Sequence, residues 1–217
     1  MQEIIGKSEA IVSYDPAAMG GDLSIVLVCE KQMVTIIQDF QNPVSFPRYR
    51  VLYSQDLKNL EYHKQVEILT DIVKKVQVIY NQNPVVLMDS TGAEGLADTV
   101  RQAIPWIYLI KFSGENMIRE KSHVGRFTVL NKPVWVQKLA LLLEQNQVII
   151  DEDMPSAREI KKQLEQFTAN IRKSGSVGYE AKPGNDDYIS CLLETISYSP
   201  GIRAIPSFFN PIELVRG

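Results

Sequence analysis

The sequence predicts an α/β fold with a mixed central sheet, in which three antiparallel strands are followed by parallel strands flanked by helices, with an additional β-hairpin before the last helix. Three observations predict it. Two β-rich runs, LSIVLVCE (Leu23–Glu30) and QMVTIIQDF (Gln32–Phe40), come after an apolar opener almost without a break. Beyond them, helix-period and strand-like segments alternate, the pattern of crossovers that add parallel strands to a sheet. Near the end, Thr168–Lys182 alternates around KSGS, as a hairpin does. No internal repeat or low-complexity tract interrupts the 217 residues, and nothing in them demands a second domain.

Each element has its own signal. AIVSY (Ala10–Tyr14) reads as a short strand closing at Asp15, and PAAMGGD supplies the turn after it. Leu23–Glu30 and Gln32–Phe40 are expected as the second and third strands, with a Pro-containing loop after them. From Tyr62 to Asn81, Val66, Leu69, Val73 and Val76 recur at helical spacing. PVVLMD (Pro84–Asp89) is a buried strand, AEGLADTVRQAI a helix, and WIYLIKF (Trp106–Phe112) a further strand. KPVWVQKLALLLEQNQ is helical, and Val148–Ile150 is a short strand. Ser156–Phe167 opens with a serine and a glutamate three residues on, the capping-box pattern. The last helix starts within KPGNDDYISCLLETISY (Lys182–Tyr198).

Composition narrows the function classes. With 45% hydrophobic residues the chain can bury a sizeable core. A net charge of −3 provides no global basic field for nucleic acid, so any such contact needs local patches. No run approaches a membrane span and the first residues lack a signal-peptide core, so a cytoplasmic protein is expected. Cys29 and Cys191 lie far apart in apolar stretches, as reduced core thiols do, and a Cys/His zinc site is not expected. His63 and His123 stand outside any acidic motif, and both tryptophans, Trp106 and Trp135, are expected in the core.

The acids are the informative residues. Asp15 ends the first strand, Asp89 ends the strand after the first long helix, and Asp186–Asp187 opens the last helix. Singly, each has a plain structural role: Asp15 precedes Pro16 in a turn, Asp89 can cap a strand-end turn or a helix, and Asn185, Asp186 and Asp187 are favoured at a helix start. Asp22 reads as a turn residue, and Asp56, Asp71, Asp98, Asp151 and Asp153 as solvated surface. Together the picture changes, because the carboxyl ends of neighbouring strands form the crevice where α/β sheets bind ligands. If the first and fourth strands are adjacent, Asp15 and Asp89 share that crevice, and the last helix can bring Asp186 and Asp187 to it. Carboxylates packed so closely raise each other's pKa, and a hard divalent cation removes the penalty.

SYDPAAMGGDLSIVLV, VVLMDSTGAEGLADTV and KPGNDDYISCLLETI, in that order, resemble the three acidic motifs of the nuclease domain of the large terminase subunit of tailed bacteriophages and prophages. NKPVWVQKLALLLEQNQVII between them is also similar, and the resemblance runs from about residue 9 to 198. It implies a ribonuclease H-like fold related to Holliday-junction resolvases. It also implies that Asp15, Asp89, Asp186 and Asp187 bind two Mg²⁺ or Mn²⁺ ions, with Asp15 as the bridging ligand. The implied activity is endonucleolytic cutting of double-stranded viral DNA concatemers during genome packaging, in the cytoplasm of the bacterial host. The implied partners are DNA, an ATPase motor domain, a small terminase subunit and a portal.

Two departures stand out. Many family members carry His before the paired aspartates, where this chain has Asn185. Nor does any G-x-x-x-x-G-K-[ST] loop occur, so no ATPase motor is encoded here. The 217 residues therefore read as a single nuclease domain, the C-terminal part of a longer subunit. Candidate phosphate contacts are Lys111, Arg119, Lys121 and Arg126 in and around KFSGENMIREKSHVGR, and Arg172, Lys173 and Lys182 around the hairpin. Two other readings fit the same motifs: a Holliday-junction resolvase or transposase-like nuclease, and a non-enzymatic scaffold whose acids only cap.

Overall fold

The computed structural model describes residues 2–17, 23–37, 43–113, 121–124, 126–171, 177–181 and 186–198. Three long strands, β1 (Gln2–Asp15), β2 (Ile25–Ile37) and β3 (Val44–Asp56), form an antiparallel meander. Its boundaries differ from those expected. β1 begins at Gln2 rather than Ala10, because its polar first half pairs with the outer half of β2, Gln2 opposite Ile37. The two runs expected as separate strands are one, since Lys31 continues the ladder opposite Tyr49 instead of turning. The third strand is the Pro-containing segment expected as a loop. Pro47 is accommodated opposite Met33, where the far side of β3 is still an open edge; its other neighbour joins only from Tyr49 to Val51.

From β1 the sheet grows through parallel strands. β4 (Val85–Asp89) pairs with β1, β5 (Tyr108–Ser113) with β4, and β7 (Phe127–Asn131) with β5. The short β6 (Lys121–Val124) closes that edge antiparallel to β7, within a segment expected as a basic loop. β8 (Val148–Ile150) closes the other edge beside β3, giving the order β6-β7-β5-β4-β1-β2-β3-β8. A separate hairpin, β9 (Phe167–Ile171) with β10 (Val177–Ala181), precedes the last helix as expected.

Side-chain alternation along the strands divides the apolar residues into two cores, one per face. Val12, Tyr14, Val86 and Met88 face α1 (Tyr62–Tyr80) and α2 (Glu94–Ala103), which contribute Leu69, Val76, Leu96 and Val100. Ile11, Leu27, Val85 and Leu87 face α3 (Lys132–Glu144), α4 (Ala157–Gln166) and α5 (Asp187–Ser197), which contribute Trp135, Ile160 and Ile189. α1 ends where Asn81 takes a left-handed conformation, φ 50°, which asparagine tolerates better than most residues. Ser156 precedes α4 without capping it; its hydroxyl is hydrogen-bonded to Ser54. Trp135 is buried as expected, but Trp106 is 38% exposed and its indole N–H donates to the Pro84 carbonyl at 3.2 Å. His63 is exposed beside Glu61, and both cysteines are buried free thiols, with Cys29 pushed up to about 12 by burial.

Leu69 is fully buried between α1 and the sheet, whereas Val78 on the same helix is 81% exposed. Leu69→Ala should therefore cost about 2–5 kcal/mol, and Val78→Ala no more than about 0.5 kcal/mol. Urea denaturation of the two variants checks this; comparable losses would contradict the layer assignment.

Candidate metal centre

The strand register assembles the first two acids. Tyr14 pairs with Met88 in parallel, so Asp15 and Asp89 come next on adjacent strands at their carboxyl ends. Tyr14 and Met88 belong to the α1–α2 side. One residue further, the alternation turns Asp15 and Asp89 to the α5 side. There α5 is fastened to β1 by a buried hydrogen bond between the hydroxyls of Ser13 and Thr195, 2.9 Å apart. The Cys191 thiol also reaches the Ile25 carbonyl of β2 at 3.8 Å. Packing at this angle puts the first residues of α5, Asp186 and Asp187, over the strand ends.

All four predicted aspartates meet there. Asp15 is held well above the ordinary carboxylate range, first by burial and then by the charges of Asp89, Asp187 and Asp186. Burial also raises Asp89, partly offset because its Oδ1 accepts the Thr91 N–H at 2.7 Å. The turn-capping role of Asp89 is thus real, and it coexists with membership of the cluster. For Asp186 the capping role is absent: its side chain makes no cap hydrogen bond and instead accepts from Lys132 Nζ at 2.7 Å. Asp187 is buried in the first turn of α5.

Two members of the site escaped the sequence reading. Glu194 lies seven residues after Asp187, two turns along the same face of α5. It has no exposed surface, and neither carboxylate oxygen makes a hydrogen bond of ordinary geometry. Burial, then the charges of Asp89 and Asp15, push it well above its usual range, while the backbone amides of Asp89 and Tyr14 act the other way. Its signal was a lone acid inside the apolar run ISCLLETISY. Lys132 is the other. It is the first residue of α3, where the helix dipole disfavours a cation, and its charge favours ionisation of both Asp15 and Asp89. A lysine in so unfavourable a helical position was the available clue.

The donor set is entirely carboxylate oxygen, the chemistry that hard divalent cations take. Among the described residues, no three Asp, Glu, His or Cys side chains already stand in a metal-holding arrangement. The aspartates would have to close by side-chain rotation, and Asp186 would have to leave Lys132.

The expected phosphate contacts fare differently. Lys111 is paired with Glu94 and lies 4.0 Å from the Phe127 ring centroid, and Arg126 is paired with Asp98. Both are therefore already neutralised by acids of α2. Lys121 opens β6. Arg119, Arg172, Lys173 and Lys182 lie outside the described residues, as do Asp22 and Asn185. No helix among the described residues is long and apolar enough to cross a membrane.

This architecture is the ribonuclease H-like fold of terminase nuclease domains. The chain superposes on the large terminase nuclease from the thermophilic phage G20c with bound magnesium at a TM-score of 0.58 and 17% identity, covering 88% of this chain and 81% of that one. On the nuclease domain of the large terminase subunit gp2 of bacterial virus Sf6 the TM-score is 0.60 at 12% identity, covering 90% of each chain. A mutant of that Sf6 domain, with manganese and beta-thujaplicinol, is similar at 0.59 and 13%, again covering 90% of each chain. No family model matches the sequence, and no curated protein matches it.

A pH dependence arises from the raised acids. Asp15 and Glu194 have folded pKa values above their unfolded ones, so the native state keeps protons that the unfolded chain releases. Stability from this source is full below the ordinary carboxylate pKa of about 4 and is lost as pH climbs toward the raised values. In chelator, Tm should therefore fall from acid toward neutral pH less steeply for Glu194→Gln than for the wild type. Taking that difference cancels surface pairs such as Arg126–Asp98, which act oppositely. Parallel Tm profiles for the two proteins would contradict the assignment.

Proposed function

We propose that this chain is the nuclease domain of a large terminase subunit, a divalent-metal-dependent endonuclease that hydrolyses phosphodiesters of double-stranded viral DNA concatemers during genome packaging. The observation that carries the reading is the convergence of Asp15, Asp89, Asp186 and Asp187 near the buried Glu194, a concentration of acids that divalent cations would stabilise. The shared fold with magnesium- and manganese-bearing terminase nucleases supports it. In this reading the domain is part of a longer subunit that carries the ATPase motor and works with a small terminase subunit and a portal.

Asp15, Asp89, Asp186 and Asp187 would hold two Mg²⁺ or Mn²⁺ ions. Such ions, when bound, activate water and stabilise the charge that develops in phosphodiester displacement. The chain's own contribution is positional. Asp15 and Asp89 sit at the centre of the sheet, and the first turn of α5 is set by the Ser13–Thr195 clamp, so the backbone positions from which the carboxylates would hold the ions are fixed. Lys111 and Arg126 could bind flanking phosphates once released from Glu94 and Asp98, an exchange of one anionic partner for another. Because such contacts touch only backbone, no sequence preference is expected.

Plasmid cleavage in Mg²⁺, Mn²⁺ or EDTA tests the reading. Metal-dependent nicking and linearisation should drop about 10²-fold or more in Asp15→Ala and Asp187→Ala, with the fold intact by circular dichroism. Wild-type rates in Asp15→Ala would overturn it, and a preference for branched over linear duplex would favour a resolvase instead.

A further inference from the structure

The pole of the sheet opposite the acids carries an aromatic ledge. Trp106, in the turn before β5, and Tyr108, the first residue of that strand, are 38% and 48% exposed, although these side chains gain most from burial at contacts. The Trp106 indole N–H is already satisfied by the Pro84 carbonyl, so what its ring leaves exposed is apolar. β5 runs parallel to β4, which puts both rings at the end of the sheet away from Asp89.

The chain leaves its last helix at this ledge. Tyr198, the residue after α5, has its ring centroid 5.4 Å from that of Tyr108. Its carbonyl accepts from Lys31 Nζ at 3.1 Å, and Lys31 is itself buried, so the exit point is pinned by a charged donor. Beyond it comes SPGIRAIPSFFNPIELVRG (199–217), outside the described residues. Phe208, Phe209, Ile212, Leu214 and Val215 crowd the second half of that segment, and Pro206 and Pro211 restrict the backbone on either side of the two phenylalanines. Proline-bearing segments suit aromatic surfaces because they have little backbone freedom left to lose.

We propose that the Trp106–Tyr108 ledge is the docking site of the chain's own C-terminal segment, with Phe208 and Phe209 seated on the exposed rings. Phe208 comes ten residues after Tyr198, a reach of up to about 33 Å, which leaves ample chain to return to a ring 5.4 Å from its starting point. So short a tether gives an effective concentration on the order of millimolar, which favours the chain's own segment over that of a second copy. Docking there covers the ledge without approaching the carboxylate corner.

The test is acrylamide quenching of tryptophan fluorescence in the full chain, whose only other indole, Trp135, is buried. Wild type should be quenched weakly, and Phe208→Ser/Phe209→Ser strongly with a red-shifted emission. A second measurement joins Pro105→Cys, beside the ledge, to Asn210→Cys: a disulfide should form within single chains, at a rate independent of protein concentration. The same Asn210→Cys paired with Val78→Cys, exposed on α1, should join more slowly. Equal quenching of wild type and the double serine variant, or equal rates for the two cysteine pairs, would overturn the proposal. Disulfides found only between chains, rising with concentration, would assign the ledge to a second copy and overturn it too.

Discussion

Like charges crowded in a poorly solvated corner are the constraint around which this fold is arranged. Asp15 and Asp89 are forced together by the parallel pairing of β1 with β4, and α5 adds Asp186 and Asp187 from above. Glu194 adds another acid from within the core, without surface and without a hydrogen bond of ordinary geometry to either oxygen. Repulsion at such distances costs stability in any protein that does not use it. The sheet centre tolerates it because the surrounding apolar layers are extensive, and because Lys132 supplies the positive charge that the cluster lacks.

The remainder of the architecture serves to hold that corner still. The long antiparallel meander holds β1 on one side, interrupted between Ile5 and Ser8, and β4 pairs with it from Ile11 to Tyr14 on the other, so the strand is held on both sides up to the residue before Asp15. α5 is tied at Thr195 to Ser13 and at Cys191 to the β2 backbone, which fixes the elevation of its first turn. At the far rim, Lys111 and Arg126 are tied to Glu94 and Asp98, so the basic residues nearest the parallel edge carry their own counter-charges. The Lys132–Asp186 pair repeats this pairing at the centre of the cluster.

Much of this was legible in the residues. The alternation of helices and parallel strands after the meander, the placing of Asp15 and Asp89 at strand ends, and the start of the last helix at the double aspartate come from period and turn chemistry; that β1 and β4 are neighbours is supplied by the sheet. The features that stayed hidden did so for physical reasons. Pro47 disguised β3, because proline is tolerated only where a neighbouring strand is missing, and that is a tertiary fact. Lys31 disguised the continuity of β2, since a buried lysine is uncommon unless a partner such as the Tyr198 carbonyl receives it. Trp106 went outward because its indole found the Pro84 carbonyl at the rim. Glu194 and Lys132 were invisible as site residues because their meaning depends on which residues α5 and α3 bring them to meet. Local sequence carried only oddities: an acid in an apolar run and a lysine at the wrong end of a helix.

The account stands or falls on whether the carboxylate corner takes metal. Anomalous diffraction from crystals grown or soaked with Mn²⁺ asks this directly. The account predicts manganese density at the corner formed by Asp15, Asp89, Asp186 and Asp187. A folded protein whose carboxylate corner shows no anomalous density at saturating Mn²⁺, or whose peaks fall only elsewhere on the surface, would contradict it.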